Sequence, residues 1–121
     1  MPRAILDESR IHPDVRDRVA GHHRSIVEEV QAAAAQHAVL VVGMRGNPWP
    51  RRARKLLGDA GIAFHYLEYG GYLSEWRRRN ALKMWAGWPT LPMVFVKGVL
   101  VGGANDLVKL IGSGELKRML A

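Results

Sequence analysis

Two short stretches of this chain carry the residue types that could do chemistry. The first runs from Gly43 to Pro50 and joins an apolar segment to a helix that we expect to begin at about Pro50 or Arg51. A strand, a turn rich in glycine and proline, and a helix N-terminus together form an anion-binding arrangement, because unpaired N–H groups and the helix dipole point at the turn. The first stretch therefore predicts an anionic ligand.

The second stretch is Trp88-Pro89-Thr90-Leu91-Pro92, which precedes the apolar run Met93 to Val96. Two prolines separated by Thr-Leu exclude a helix, and Pro92 loses no ladder hydrogen bond at the first position of a strand. The Leu91–Pro92 peptide bond is a candidate for the cis form, which is nearly confined to bonds that precede proline.

The chain contains no cysteine, which excludes disulfides, thiolate nucleophiles and cysteine ligation of zinc or iron–sulfur clusters. We interpret His22, His23 and His37 as surface or capping residues and predict no metal site. The remaining donors and bases form no recognisable set of nucleophile, base and acid. These donors are His65, Tyr66, Tyr69, Tyr72, Ser74 and Thr90.

Length and charge indicate one domain with a preference for anionic partners. The 121 residues suffice for one core without metals or disulfides, and 18 basic against 11 acidic residues give a net charge of +7. No stretch reaches the ~18 apolar residues of a membrane span, and the start lacks the apolar core of an export signal. We expect a cytoplasmic protein.

The apolar pattern predicts alternating helices and strands. Residues 22–37 have an apolar stripe at helical spacing that includes Ile26, Val30 and Ala33, and residues 38–42 form a continuous apolar run typical of a buried parallel strand. The next predicted elements are a helix that ends at about Gly61, a strand at 62–68, and a helix at 73–86 with Arg77 to Arg79 on its solvated face. Strands at 93–96 and 99–101 follow. The chain then ends with a helix that begins near Asp106 and is capped by Asn105, and a short last helix. This order predicts an α/β domain with a four-stranded mixed sheet flanked by helices.

Residues 80–103 resemble the second half of a glutaredoxin, in particular the monothiol branch associated with iron–sulfur clusters. The shared motifs are the Trp-Pro-Thr-x-Pro loop, the hairpin that follows it, and Gly102-Gly103. Residues 41–46 are similar to that branch's strand with Met-Lys-Gly, and residues 114–116 to its Gly-Glu-Leu. The resemblance implies the thioredoxin fold for residues 22–121 and a cis-proline. Residues 1–21 have no counterpart in it, and we expect them to form an N-terminal helical extension.

The sequence differs from the family at the position of the catalytic cysteine. Glutaredoxins have Cys-Pro-Tyr-Cys or Cys-Gly-Phe-Ser where this chain has Asn47-Pro48-Trp49-Pro50. Without a thiolate at the first position, neither thiol–disulfide exchange nor a glutathione-ligated cluster of the family type can be built. We therefore predict no catalytic residue in this degenerate loop.

The resemblance also implies a glutathione-type groove. The basic residue before the active loop would be Arg45, and Arg79 and Lys83 would bind the glycine carboxylate. The loop with the cis-proline would pair with the ligand backbone, and the turn after Gly102 would bind the γ-glutamyl end. The residues implied for these two segments are Thr90, Leu91, Pro92, Gly103, Ala104, Asn105 and Asp106.

We conclude from the sequence that this is a cysteine-free, degenerate glutaredoxin-like domain, a pseudoenzyme that binds glutathione or a similar small anionic thiol or peptide. The alternative is a protein-interaction or scaffold module with an unused groove, including a homodimer through the N-terminal helices or Trp49. Nucleic acid is the less favoured partner, although arginines and lysines follow Trp49 and surround Trp76. The reason is that Trp76, Trp85 and Trp88 have ordinary core or pocket-wall explanations and a basic helix face is usually solvated.

Overall fold

A computed structural model describes residues 2–121 and places four strands in one mixed sheet. The strands are β1 (Val39–Gly43), β2 (His65–Glu68), β3 (Met93–Val96) and β4 (Val99–Gly102). Their order across the sheet is β2-β1-β3-β4. Strand β1 runs parallel to β2 and antiparallel to β3, and β3 pairs with β4 through the turn at Lys97 and Gly98. The predicted four-stranded mixed sheet and its hairpin are confirmed.

Helices cover both faces of the sheet. They are α1 (Pro13–Gly21), α2 (Arg24–Gln36), α3 (Pro48–Asp59), α4 (Trp76–Ala86), α5 (Ala104–Gly112) and α6 (Glu115–Leu120), after a short 3₁₀ turn at Glu8–Arg10. Helix α1 has no buried residue and ends at the predicted boundary between residues 1–21 and 22–121, which stays a prediction. Within the described part of the chain, no helix is both long and apolar enough to span a membrane.

The core has two halves, one on each side of the sheet. Leu40 and Val42 of β1 pack with α2 and α4, whereas Val39 and Val41 pack with α3, α5 and α6. Successive side chains of a strand point to opposite faces, so both halves draw on the same strand. All five residues of β1 are buried, which explains why the strand is a continuous apolar run.

Helix α3 begins two residues earlier than the sequence predicts. Asn47 is its N-cap and accepts a hydrogen bond from the Trp49 N–H at 3.0 Å, while Pro48 occupies the first helical position. Both residue types favour these positions. The stretch Asn47 to Pro50 is therefore the cap and first turn of a helix, not a loop.

The prediction that Asn105 caps the next helix is wrong. Helix α5 begins at Ala104 with Gly103 as its N-cap, and the Asp106 carboxylate accepts a hydrogen bond from the Gly103 N–H at 2.9 Å. An acidic residue at the third helical position can satisfy the N–H of the cap in this way.

Two other elements are shorter than predicted. Strand β2 begins at His65, where its pairing with Leu40 starts, and not at residue 62. Helix α4 begins at Trp76 because the preceding residues form a turn in which the Ser74 hydroxyl accepts the Gly71 N–H at 3.0 Å. Leu73, expected on the apolar face of this helix, is 99% exposed.

Replacing Gly43 by alanine is expected to lower the free energy of unfolding by about 1–3 kcal/mol, because overpacking a filled core has this cost. A Cβ atom at Gly43 would lie 2.6 Å from the Pro50 Cβ and 3.0 Å from a Tyr66 ring carbon. Gly58→Ala is the matched control: it lies inside α3 with open space around its Cβ position, and should stabilise by about 0.5–1 kcal/mol. Urea denaturation measures both. A Gly43→Ala protein as stable as the unsubstituted one would contradict the packing described for this junction.

Candidate ligand-binding groove

Apart from Arg45, the predicted ligand residues line two cavities that share one wall. The shared wall is formed by Trp49, Thr90 and Leu91. The first cavity, which we call the Gly103 cavity, has a volume of about 240 Å³; its other lining residues are Trp88, Pro92, Gly103, Ala104, Asn105 and Asp106. The second, which we call the Lys83 cavity, has a volume of about 310 Å³; its other lining residues are Met44, Asn47, Tyr72, Arg79, Lys83 and Pro89.

Three chain segments meet to form the Gly103 cavity. The first turn of α3 contributes Trp49, the loop before β3 contributes Thr90 with the cis Leu91–Pro92 bond, and the junction of β4 with α5 contributes Gly103. A Cβ atom at Gly103 would lie 3.5 Å from the Pro92 carbonyl oxygen and 3.8 Å from the Trp88 indole nitrogen. These are ordinary van der Waals distances, so the loop and the turn lie in contact at this point.

Arg79 is a buried cation that organises the loop before α4. Its side chain is 6% exposed, and its Nη1 donates hydrogen bonds to the carbonyl oxygens of Tyr69 at 2.8 Å and Ser74 at 2.5 Å. The prediction of a solvated arginine face is therefore wrong for this residue. Arg79 lines the Lys83 cavity, but part of its hydrogen-bonding capacity is used inside the protein.

Lys83 follows Arg79 by one helical turn and lies on the same side of α4. It lines the Lys83 cavity and, within residues 2–121, forms no ion pair. An ammonium group without an internal partner is the cation of this cavity with the greatest freedom to bind a carboxylate.

Arg45 does not join the other two cations. Its backbone N–H donates to the Gly70 carbonyl oxygen at 2.6 Å, and its guanidinium lies 3.5 Å from the Cβ position of Gly71. It lines neither cavity of the groove. The predicted rim of three cations thus has two members in the Lys83 cavity and one outside it.

Sequence reasoning did not single out Met44 and Tyr72 as groove residues. Met44 is buried beside the end of β1, and Tyr72 is 66% exposed in the turn before α4. Met44 directly follows the strand that ends at the groove, and this position could have indicated it. Tyr72 lies in the turn that Arg79 anchors. Trp76 and Met84, expected on the apolar face of α4, are exposed instead.

The two most buried phenols are unsuited to act as bases near neutral pH. Burial raises the pKa of Tyr66 to about 12, although the Arg54 guanidinium, 4.0 Å from the ring centroid, opposes the shift. Burial and the nearby Glu29 carboxylate raise the pKa of Tyr69 further above its ordinary value. Neither residue lines the groove, so both belong to the packing of the domain.

A larger hollow of about 490 Å³ lies between α1, α2 and α4. Its lining mixes apolar side chains, including Val19 and Trp85, with polar ones such as His22 and Arg24, and it contains none of the predicted ligand residues. Its size reflects the loose packing of α1, which buries no residue. The smaller groove is the better candidate because cations, a carboxylate and aromatic side chains converge there.

Comparisons with known proteins point to one family. A protein-family model described as Glutaredoxin matches residues 39–101. A glutaredoxin-like protein of Dictyostelium discoideum is 40% identical over 103 residues, which cover 85% of this chain and 84% of that protein. An uncharacterized monothiol glutaredoxin of Synechocystis is 36% identical over 66 residues, 54% of this chain and 59% of that one.

Solved structures show the same fold. The crystal structure of a buckwheat glutaredoxin–glutathione complex matches with a TM-score of 0.71 at 22% identity, covering 83% of this chain and 91% of that one. At this identity the likeness establishes the thioredoxin-like fold, which the sequence predicts.

Proposed function

Because the chain belongs to the glutaredoxin family and contains no cysteine, we propose that it binds glutathione, or a similar small anionic thiol or peptide, without thiol–disulfide exchange. In this proposal the domain retains the family's groove but lacks the cysteine sulfur that reacts in the family. The function is binding rather than catalysis.

One observation carries this proposal: nine of the ten implied ligand residues, all except Arg45, line the two cavities on either side of a single wall. Lys83 and Arg79 lie on one side of Trp49 and Thr90, and Asp106 lies on the other. Glutathione has a carboxylate at its glycine end and both an ammonium and a carboxylate at its γ-glutamyl end. Cations in one cavity and a carboxylate with backbone N–H groups in the other complement these charges.

The γ-glutamyl side of the groove has particular chemistry. The Asp106 carboxylate already accepts the Gly103 N–H, which orients it in the Gly103 cavity. It can also accept from an ammonium group, because a carboxylate has about four acceptor positions. Asn105, at the position where an acidic residue is common in the family, supplies an amide instead of a second charge. The buckwheat glutaredoxin–glutathione complex shows that this fold accommodates the ligand in a relative.

Absence of exchange follows from chemistry at the cap of α3. Asn47 occupies the position that corresponds to the family's first cysteine, and its amide oxygen accepts the Trp49 N–H. An amide cannot form a mixed disulfide, so the sulfur of a bound thiol has no partner in the chain. The ligand is held by non-covalent contacts alone.

Calorimetric titration with glutathione tests the proposal. We expect saturable binding that weakens by about five- to tenfold in Lys83→Ala, because a charge-assisted hydrogen bond to a partly exposed carboxylate contributes about 1–1.5 kcal/mol. Lys109→Ala is the matched control, since Lys109 is exposed on α5 and lines neither cavity. No saturable heat at millimolar glutathione, or equal affinity in Lys83→Ala and Lys109→Ala, would contradict the proposal.

The second candidate is a protein-interaction module. Tyr72, Leu73 and Trp76 are exposed close together in sequence at the start of α4, and exposed apolar patches often mark protein contacts. This candidate predicts a groove that no small ligand enters, so the same titration distinguishes the two functions.

A further inference from the structure

We propose that the groove prefers glutathione that carries an apolar or aromatic substituent on its sulfur over glutathione with a free thiol. This inference rests on the proposed function, because it names the ligand class of the same groove. It concerns stable thioether conjugates, which bind without any bond being formed or broken.

The position of the ligand sulfur follows from the two-cavity geometry. A tripeptide whose ends lie in the Lys83 cavity and the Gly103 cavity crosses the wall that both share. Its central residue, which bears the sulfur, therefore lies against Trp49, Thr90 and Leu91. Because the chain has no cysteine, the sulfur at this point cannot form a disulfide with the protein.

The side chains near this position are mainly apolar. Besides Trp49 and Leu91, the Lys83 cavity is lined by Met44, Tyr72 and Pro89. Trp49 and Tyr72 are 46% and 66% exposed, so both have aromatic surface left to bury against a ligand. Aromatic rings gain free energy from edge-to-face or offset contacts in addition to the area that they bury.

Two polar groups that line this cavity already make hydrogen bonds inside the protein. The Asn47 amide oxygen caps α3, and the Arg79 Nη1 donates to two carbonyl oxygens. Lys83 is the cation that remains for the glycine carboxylate. A thiol or thiolate at the shared wall therefore gains few hydrogen bonds, whereas an apolar substituent gains contact with two aromatic side chains.

Titration with a series of ligands tests this preference. Glutathione, S-methylglutathione and S-benzylglutathione share both charged ends and differ at the sulfur. We expect S-benzylglutathione to bind about tenfold more tightly than glutathione, as one well-buried aromatic contact allows. S-benzylcysteine, which lacks both flanking residues, should bind much more weakly than S-benzylglutathione, since the two cavities hold the ends.

Tyr72→Ala locates the substituent and keeps the fold intact, because Tyr72 is mostly exposed. We expect it to reduce the preference, measured as the ratio of the affinities for S-benzylglutathione and glutathione in the same variant, to about threefold or less. Leu73→Ala is the control: Leu73 is the next residue, is 99% exposed and lines neither cavity. It should leave the preference unchanged.

The outcomes separate this inference from the proposed function. Equal affinity for the three glutathione species, or a preference that survives in Tyr72→Ala, would overturn the inference and leave glutathione binding in place. Absence of binding by all three species would overturn the proposed function and this inference with it. A preference that Tyr72→Ala removes and Leu73→Ala keeps would support both.

Discussion

Arg79→Ala is expected to lower the free energy of unfolding by about 3 kcal/mol, because hydrogen bonds from a charged donor contribute about 1.5–3 kcal/mol each. The substitution removes two such bonds, to the carbonyl oxygens of Tyr69 and Ser74, and leaves the buried Tyr69 carbonyl without this donor.

Urea denaturation compares Arg79→Ala with Arg77→Ala, its neighbour on the same helix. Arg77 is exposed and lies over the Trp76 ring, with its guanidinium carbon 5.1 Å from the ring centroid, so its replacement should change stability by about 0.5 kcal/mol or less. Equal stability of the two variants would show that Arg79 does not hold the loop. If Arg79→Ala is destabilised as expected, a loss of ligand binding in that variant cannot be assigned to ligand contact alone, whereas Lys83→Ala tests contact more directly.

Asn47→Cys is expected to convert the binding site into one that forms a mixed disulfide with oxidised glutathione. A cysteine at the N-cap of α3 would lie at the positive end of the helix dipole, and such positions lower thiol pKa values to about 3.5–7.5. The resulting thiolate would lie beside the shared wall, where the proposal places the sulfur of the ligand. The unsubstituted protein should exchange no faster than the buffer background.

Ser113→Cys is the matched control for thiol chemistry outside the groove. Ser113 is exposed, lies between α5 and α6, and lines neither cavity of the groove. Mass spectrometry of the mixed disulfide should show a rate at least about tenfold higher in Asn47→Cys than in Ser113→Cys, because the proposed groove binds the disulfide beside residue 47 and not beside residue 113. Similar rates in both variants would mean that the groove neither activates the thiol nor binds the disulfide.

The sheet could be predicted from sequence because its signals are local and strong. The apolar run at Val39 to Val42 reads as a strand covered on both faces, and the structure buries it on both faces. The hairpin turn at Lys97 and Gly98 has positive φ angles at both residues, which is the conformation that short hairpins favour. Two-residue turns of this kind leave few alternatives for the pairing of β3 and β4.

The ends of elements and the role of Arg79 depend on tertiary contacts. Arg77, Arg78 and Arg79 have the same side chain, so only the rotation of α4 and the loop folded against it determine which one is buried. Sequence periodicity could not supply that rotation, because the pattern extended the helix to Leu73, three residues before its observed start. The same reason applies to Trp76, which the broad apolar pattern placed inward and the structure exposes.

The groove could be predicted only in part. The resemblance indicated the loop residues and the turn after Gly102, and these line one cavity together. It could not indicate that Asn47 would begin α3, because the family motif in this region is lost along with its cysteine. Tyr72 lines the groove because it lies in a turn that two hydrogen bonds shape. Arg79 donates one to the Ser74 carbonyl oxygen, and the Gly71 N–H donates the other to the Ser74 hydroxyl. No local signal specifies such a turn.

The measurement that tests glutathione binding most directly is an amide and indole NMR titration of the unsubstituted, isotope-labelled protein with glutathione. We predict saturable shifts on both sides of the shared wall, at Thr90, at Gly103 and Ala104, at Lys83, and at the Trp49 indole. Shifts confined to the hollow around Val19, or no saturable shift up to about 5 mM ligand, a concentration that detects even millimolar affinity, would contradict the account.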